Sequence, residues 1–485
     1  MNDTLFTKNN AEGGKRSLIL AGGGVRVAYQ AGVLQALEDA GLRFDHIDGT
    51  SGGIFNTAML ASGLSPYQIA ERWRSVKLKS FMSMNRLREY LRPMLLKSLG
   101  SADGIRKKLF PSLGIDLEKI RNNDRVTATF NVCNFSDKSI ESIAHREVTE
   151  NHLIAGVSLP VLMPAVLIND KWYSDAVWIK DANLLEAVKR GSEEIWLIWV
   201  IGNCEEYLPG SFNQYVHMIE MSANGALLEE YAQIERINEQ ILNGNSPYGQ
   251  TKSIKLHVIK PDFPIPLDPD LFLDKINTST LINMGYADAS RYLRDIPEAG
   301  IKFGIEATKM KSPGVTFSFR NRFRGKLQFA DGKSFVSYNL SFIVRRLEKN
   351  QFSVAAYSGI YLESLNREIP TLKNTVKVRQ DGANRFLLVS SEFLHEGKTH
   401  FLEAVFKPGA IIDWFLGLEF KKVKLHIKSA DETTFAEGYL TQSVKDRLKS
   451  VFNSSIRNFY EPGIKSRQKY KLLRALYDSI DVNQE

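Results

Sequence analysis

A chain of 485 residues is too long for one hydrophobic core, so two or three domains are expected. Its apolar share of 43% and charged share of 24% are those of a soluble globular protein. The formal net charge of +8 favours an anionic partner surface, nucleic acid or acidic lipid, without choosing between them. Cys133 and Cys204 are the only cysteines, which leaves no disulfide framework and no zinc pattern. The polar start MNDTLFTKNNAEGGKR is not a signal peptide, and no apolar run reaches spanning length. A cytoplasmic protein is expected, peripheral at most at the inner face of a membrane.

Residues 1–15 read as a disordered lead-in. Ser17 to Ala21 is a short buried strand that ends in Gly22-Gly23-Gly24, and a helix follows with Val25, Ala28, Ala31, Leu34 and Leu37 at helical spacing and Gly41 as its C-cap. Three glycines at a helix N-terminus let backbone N–H groups converge on one anion. A dinucleotide fingerprint would need a third glycine where Val27 stands, and no acidic residue ends a second strand at the expected distance. The turn reads better as an oxyanion hole serving a nucleophile on the next strand. Arg26 either steadies that loop or lies solvated on the helix.

The next strand arrives as DHIDGTSGGIFNTAML, Asp45 to Leu60. Gly49, Ser51 and Gly53 form G-x-S-x-G between a strand and a helix, the pattern of a nucleophile elbow, in which a serine sits on strained backbone with its hydroxyl exposed. From Leu60 to Phe110 the chain is expected to be helical and basic, with Lys77, Lys79, Arg86, Arg88, Arg92 and Lys97 interleaved with Phe81, Met82, Met84, Leu87 and Leu91. Such a stretch suits a lid resting on anionic lipid, or helices packed on the core with charges in water.

Residues 125–145 alternate as two strands around Ser136-Asp137. A helix stopped by Pro160 and Pro164 follows, then a strand-like VLI, a turn at Asn169-Asp170 and an apolar-aromatic strand directly followed by Asp175, where a carboxylate at the sheet end can reach a serine. Asp181 is an alternative carboxylate for that role. Residues 194–202, EIWLIWVIG, read as a central buried strand. A further strand spans Ile254 to Ile259, and His46, His145 and His152 lie in no catalytic pattern.

Lys-Ser-Pro-Gly at 311–314 marks a linker. Beyond it, short alternating runs such as VTFSFRNRF, KLQFA, SFVSYNLSFIVRRL and KKVKLHIK predict an all-β barrel or sandwich over 314–437. From Gly438 to 485 the pattern returns to helix, with a basic RQKYKLLRAL near the end.

Over the first 300 residues the turn Gly22-Gly23-Gly24-Val25-Arg26-Val27, the elbow Gly49 to Gly53, the proline-bearing Ala155 to Pro164 and Asp175-Ala176-Val177 together resemble the patatin-like phospholipase family. The resemblance implies a three-layer α/β/α hydrolase domain over 16–305 and a Ser–Asp dyad without a histidine. By position Ser51 is the nucleophile, Asp175 the base, and Gly22, Gly23 and Gly24 with Arg26 the oxyanion loop. It implies a phospholipid or other acyl-lipid substrate at an anionic membrane surface, and no metal or organic cofactor. Val27 and Ala176 depart from the family pattern, which has glycine at both positions. The β-rich segment is faintly similar to lipocalin-like domains that cup apolar ligands. A serine lipid acyl-hydrolase is therefore expected. An acyltransferase on the same site and a catalytically impaired lipid-binding protein are the alternatives. No nucleic-acid motif accompanies the positive charge, and nothing in the sequence speaks to oligomeric state.

Overall fold

The apolar runs of the first three hundred residues become the strands of one sheet. In the computed structural model the described residues are 5, 15–77, 83–84, 98–266, 276–348, 351–381, 384–406, 421–453 and 455–458. Of the lead-in only Leu5 and Lys15 are therefore described. Leu5 is buried and its carbonyl accepts the Phe44 N–H at 3.0 Å. Residues 78–82 and 85–97 of the basic segment expected over 60–110, and the whole of RQKYKLLRAL, lie outside the described residues. The chain divides into two units, Met1–Asp268 with Asp288–Lys311, and Pro269–Ala287 with Ser312–Glu485.

In the first unit the strands are β1 (Arg16–Leu20), β2 (His46–Thr50), β3 (Thr127–Asn134), β4 (Ser139–Ala144), β5 (Val166–Ile168), β6 (Lys171–Asp175), β7 (Glu194–Ile198) and β8 (Lys255–Ile259). Their order is β8-β7-β1-β2-β3-β6-β5, with β4 also on β3. From β8 to β3 the neighbours are parallel, whereas β4 and β6 run antiparallel to β3. The chain leaves β1 for β2 on one side and returns later to β7 on the other. The carboxyl end of β1 is thus a topological switch point, where open α/β sheets leave a crevice for ligands. The run EIWLIWVIG is strand only to Ile198, and it sits beside the edge strand β8, yet Trp196 to Ile201 stay buried because both faces are covered.

Helix α1 (Ala28–Asp39) follows a single 3-10 turn, Gly24–Val27, and α2 (Gly53–Ala61) is buried at every residue. A helix buried on every side belongs inside a domain, and its one amide, Asn56, finds partners there. The long helix Ser211–Leu242 buries Ile219, Ala223, Leu227, Tyr231 and Ile234 at spacings of three to four residues, and the last four join Ile195 and Leu197 of β7 and the following Trp199 in one core.

The second unit is an antiparallel sheet of β9 (Val315–Phe329), β10 (Gly332–Glu348), β11 (Gln351–Leu362), β12 (Arg367–Pro370), β13 (Leu372–Asp381), β14 (Asn384–His395), β15 (Lys398–Phe406), β16 (Lys422–Ser429) and β17 (Thr434–Thr441). The order β12-β11-β10-β9-β17-β16-β15-β14-β13 brings the two ends back together, and the Thr371 N–H between them donates to the Ser358 carbonyl at 2.9 Å. The result is a nearly closed, barrel-like sheet. Alternate residues Val336, Tyr338, Leu340 and Phe342 of β10 point inward with Phe323, Val389, Leu402 and Leu425 to fill the interior.

Two sequence expectations change here. VTFSFRNRF and KLQFA are one strand, β9, paired with β10 in unbroken register from Val315 to Phe329. The intervening polar residues lie on its outer face, with Arg322 and Lys326 exposed. Helix does not resume at Gly438 either. β17 continues to Thr441 before the helix Val444–Asn453, and β18 (Ser455–Asn458) then pairs with the start of β9.

Phe323 is fully buried, with its ring 5.6 Å from that of Phe406. Phe323→Ala is expected to destabilise the second unit by about 3–5 kcal/mol, seen as a lower urea midpoint in far-UV circular dichroism.

Candidate active site

Ser51 is the first residue after β2 and has φ of 50°, a left-handed conformation that side chains rarely adopt. The turn is possible because its glycines leave room for neighbouring chain. A Cβ on Gly53 would overlap the Leu20 carbonyl, and one on Gly52 would lie 2.5 Å from the Gly24 carbonyl oxygen. Below the turn, Asn131 of β3 donates to Asp48, to the Thr50 hydroxyl at 2.9 Å and to the Gly49 carbonyl at 3.4 Å. Asp48 also accepts from Thr129 at 2.6 Å. Burial pushes the Asp48 carboxyl up to about 7, although these hydrogen bonds pull it down.

Asp175 reaches Ser51 because β2 and β6 share one edge of β3 end to end. Thr50 pairs with Asn131, and Asp175 pairs with the next residue, Val132, while β4 occupies the opposite edge throughout. Ser51 Oγ donates to Asp175 Oδ2 at 2.7 Å, and the Val177 N–H donates to Oδ1 at 3.0 Å. The aspartate is almost fully buried, and Ser51 is 8% exposed. Burial raises the Asp175 carboxyl to about 7, with the Ser51 and Val177 bonds acting in the opposite direction.

The glycine turn after β1 lies beside this pair. Gly23 and Gly24 have φ of 147° and 59°, conformations in which a side chain is strained. The Gly22 N–H donates to the main-chain carbonyl of Asp181 at 3.4 Å, and so turns away from Ser51. Among the described residues no acceptor takes the amides of Gly23, Gly24 or Gly52. Arg26 Nε donates to the Gly23 carbonyl at 3.0 Å and so braces the turn. Gln30 holds the Ala21 carbonyl at 2.6 Å, and Asn56 of α2 holds the Val27 carbonyl at 2.9 Å and Gln30 Oε1 at 2.8 Å. Trp73 Nε1 completes the brace by donating to Asn56 Oδ1 at 2.7 Å.

The structure therefore brings together Ser51, Asp175, Gly22, Gly23, Gly24, Gly49 and Gly53, with Arg26 behind the loop. The histidines serve elsewhere: His46 bonds Ser17 and Thr129, His145 bonds Ala128 and Asn123, and His152 caps its own helix through Thr149. Cys133 and Cys204 are free thiols, and among the described residues no group of three or more His, Cys, Asp or Glu is arranged to hold a metal. Sequence reasoning missed Asn56, Asn131 and Gly52. The signal for the two asparagines is a lone amide inside an apolar segment, GIFNTAML and TATFNVCN, where a buried polar group needs partners.

The family model described as patatin-like phospholipase matches residues 18–188, within the α/β unit. Among solved structures, the crystal structure of the type III effector protein ExoU aligns over 61% of this chain and 78% of its own, at 12% identity and a TM-score of 0.21. No curated protein matches the chain. The departures Val27 and Ala176 are accommodated locally. Val27 has φ of −64° and is fully buried, and Ala176 is buried without a left-handed backbone. Neither position needs glycine for its conformation.

Between about 4, the ordinary carboxyl value, and about 7, the folded protein keeps protons on Asp48 and Asp175 that the unfolded chain has released. Stability accordingly falls as pH rises through that window, and Asp48→Asn flattens the fall in urea midpoints measured across it. Asn56→Ala removes the partners of the Trp73 N–H and of Gln30 Oε1 and is expected to cost about 2–4 kcal/mol, read as a lower thermal midpoint.

Proposed function

We propose that residues 16–305 are a serine acyl-hydrolase of membrane lipids, working through a Ser51–Asp175 dyad on a three-layer hydrolase scaffold. The observation that carries this reading is the 2.7 Å hydrogen bond from Ser51, on strained backbone, to a buried carboxylate inside the segment that matches the patatin-like phospholipase model. Asp175 takes the hydroxyl proton as Ser51 Oγ attacks the ester carbonyl carbon. The resulting oxyanion is met by the amides of Gly23, Gly24 and Gly52, donors already oriented before the reaction. The proton passes from Asp175 to the leaving alcohol, and Asp175 then deprotonates the water that hydrolyses the acyl-serine. An aspartate of ordinary pKa is a poor base for this work. One raised to about 7 is far better matched to a neutral medium. The route calls on no metal or organic group.

The family match supports a phospholipid or other acyl lipid as the substrate, and an anionic membrane surface is proposed as the place where it is met. Among the described residues no helix is long and apolar enough to cross a membrane. The positive net charge of +8 draws the protein toward anionic lipid.

Fluorophosphonate labelling, run beside fatty-acid release from mixed phospholipid vesicles, tests the reading. Both signals are expected in the wild type. Ser51→Ala abolishes them, and Asp175→Asn lowers turnover by about 10²–10⁴-fold. A folded wild type that neither labels nor releases fatty acid overturns the proposal. Because the base must be ionised, kcat/KM rises with pH through about 7 in wild type, which a pH–rate profile checks directly.

A further inference from the structure

Asp181 stands apart from the other acids of the first unit. It is fully buried, and neither of its carboxyl oxygens has a hydrogen-bond partner. Asp175 has the Ser51 hydroxyl and the Val177 amide to hold its charge, and Asp48 has Thr129 and Asn131. Buried polar groups are almost always satisfied, so an orphaned carboxyl beside a nucleophile calls for an explanation.

Its position supplies one. A Cβ built on Gly22 would collide with Asp181 Oδ1 and would lie 2.6 Å from Ser51 Cβ. The Asp181 carboxyl and the Ser51 side chain therefore crowd the same point, at the first residue of the glycine turn. The groups that face Asp181 are Asp175, whose negative charge disfavours a second one, and Arg26, whose charge acts the other way. Lys180, next in sequence, is turned away to a 2.7 Å ion pair with Glu230. Burial without a hydrogen-bonded partner makes the ionised form of Asp181 very costly. Burial and the Asp175 charge hold the carboxyl well above its ordinary value, with Arg26 and the Gly22 backbone N–H acting in the opposite direction. Two carboxyls whose surroundings separate them in this way take different roles, one as base and one as proton-bearing acid.

We propose that Asp181 is a catalytic carboxylic acid that stays protonated and donates its O–H to the substrate carbonyl oxygen as Ser51 attacks, joining the glycine amides in the oxyanion hole. The proton remains on Asp181 throughout, so its part is a hydrogen bond that strengthens as charge develops and no covalent bond forms or breaks there. The Gly22 amide, engaged with the Asp181 main chain, leaves the gap that this side chain fills. The role rests on the acyl-hydrolase reading above.

The test compares wild type with Asp181→Asn, which keeps a neutral donor, and Asp181→Ala, which removes it. Difference infrared spectra of wild type against Asp181→Asn at neutral pH report the acid directly, whether or not the enzyme turns over, and a protonated-carboxyl band lost in the variant is expected. On an acyl ester, Asp181→Ala lowers kcat by about 100-fold with little change in KM, and Asp181→Asn restores most of that loss. Wild-type activity falls on an alkaline limb as Asp181 ionises, and Asp181→Asn lacks that limb. Neither variant melts below wild type, because each removes an unpartnered buried acid, whereas a packing role predicts a fall in both. The proposal is overturned by absence of the infrared band, or by Asp181→Asn losing as much activity as Asp181→Ala while keeping the alkaline limb. A wild type that fails to label or hydrolyse overturns the hydrolase reading and the donor role with it. An active wild type without the band overturns Asp181 alone.

Discussion

One edge of strand β3 sets the geometry of the first unit's site. β2 occupies that edge as far as Asn131, and β6 takes it over at Val132 from the opposite direction. The residue that leaves β2 and the residue that ends β6 are therefore forced together, and these are Ser51 and Asp175. The side chain of Asn131, at the junction, binds Asp48, Gly49 and Thr50. Its own carbonyl oxygen is held by Asn183 at 3.1 Å and Ser142 at 2.7 Å. A slip of one residue in either pairing turns every side chain of that strand to the other face of the sheet, and the 2.7 Å contact is lost.

The glycine turn depends on the same junction at one remove. It is tied to α2 by Asn56 and to β1 by Gln30, so the amides of Gly23 and Gly24 and the hydroxyl of Ser51 belong to one hydrogen-bonded frame. Such preorganisation matters because donors that must reorient during a reaction stabilise its transition state less. The frame is also dry. Asp48, Asp175 and Asp181 are all buried, and burial raises each of them. Their hydrogen-bond complements differ: Asp48 is held by Thr129 and Asn131, Asp175 by Ser51 and the Val177 amide, and the Asp181 carboxyl by no side chain. Unpartnered buried polarity lowers stability, and it tends to persist at sites where function requires it.

The second unit obeys a simpler rule. Its strands alternate inward apolar and outward polar residues, and the interior of the nearly closed sheet is packed with Phe323, Tyr338, Phe393 and Phe406. Closure removes most exposed edge, the usual liability of an antiparallel sheet. The short β18 covers the start of β9, where the neighbouring β17 pairs only from Arg324 onward.

Much of this was legible in the sequence, for reasons that are local. Glycines at 22–24 and 49–53, a strand before each turn and a helix after it are all encoded within about one βαβ unit, and backbone sterics dictate their meaning. Asp175 was legible because an acid directly after an aromatic strand must sit at a sheet end. Period-two alternation marked the β-rich half, but local pattern could not say that a polar stretch such as Arg322 to Lys326 continues a strand, since pairing with β10 decides it. Nor could it choose between Asp175 and Asp181, which differ by six positions in the chain. That choice belongs to the tertiary structure, because hydrogen-bond partners come from distant segments. Val132 places Asp175 beside Ser51, whereas Asp181 is buried against Gly22 with no side-chain partner for its carboxyl. The amino-acid sequence by itself determined the turns and the order of the elements, through local sterics and periodicity. Only the packing of the sheet decided which carboxyl meets the serine, because solvation and long-range pairing are properties of the folded whole.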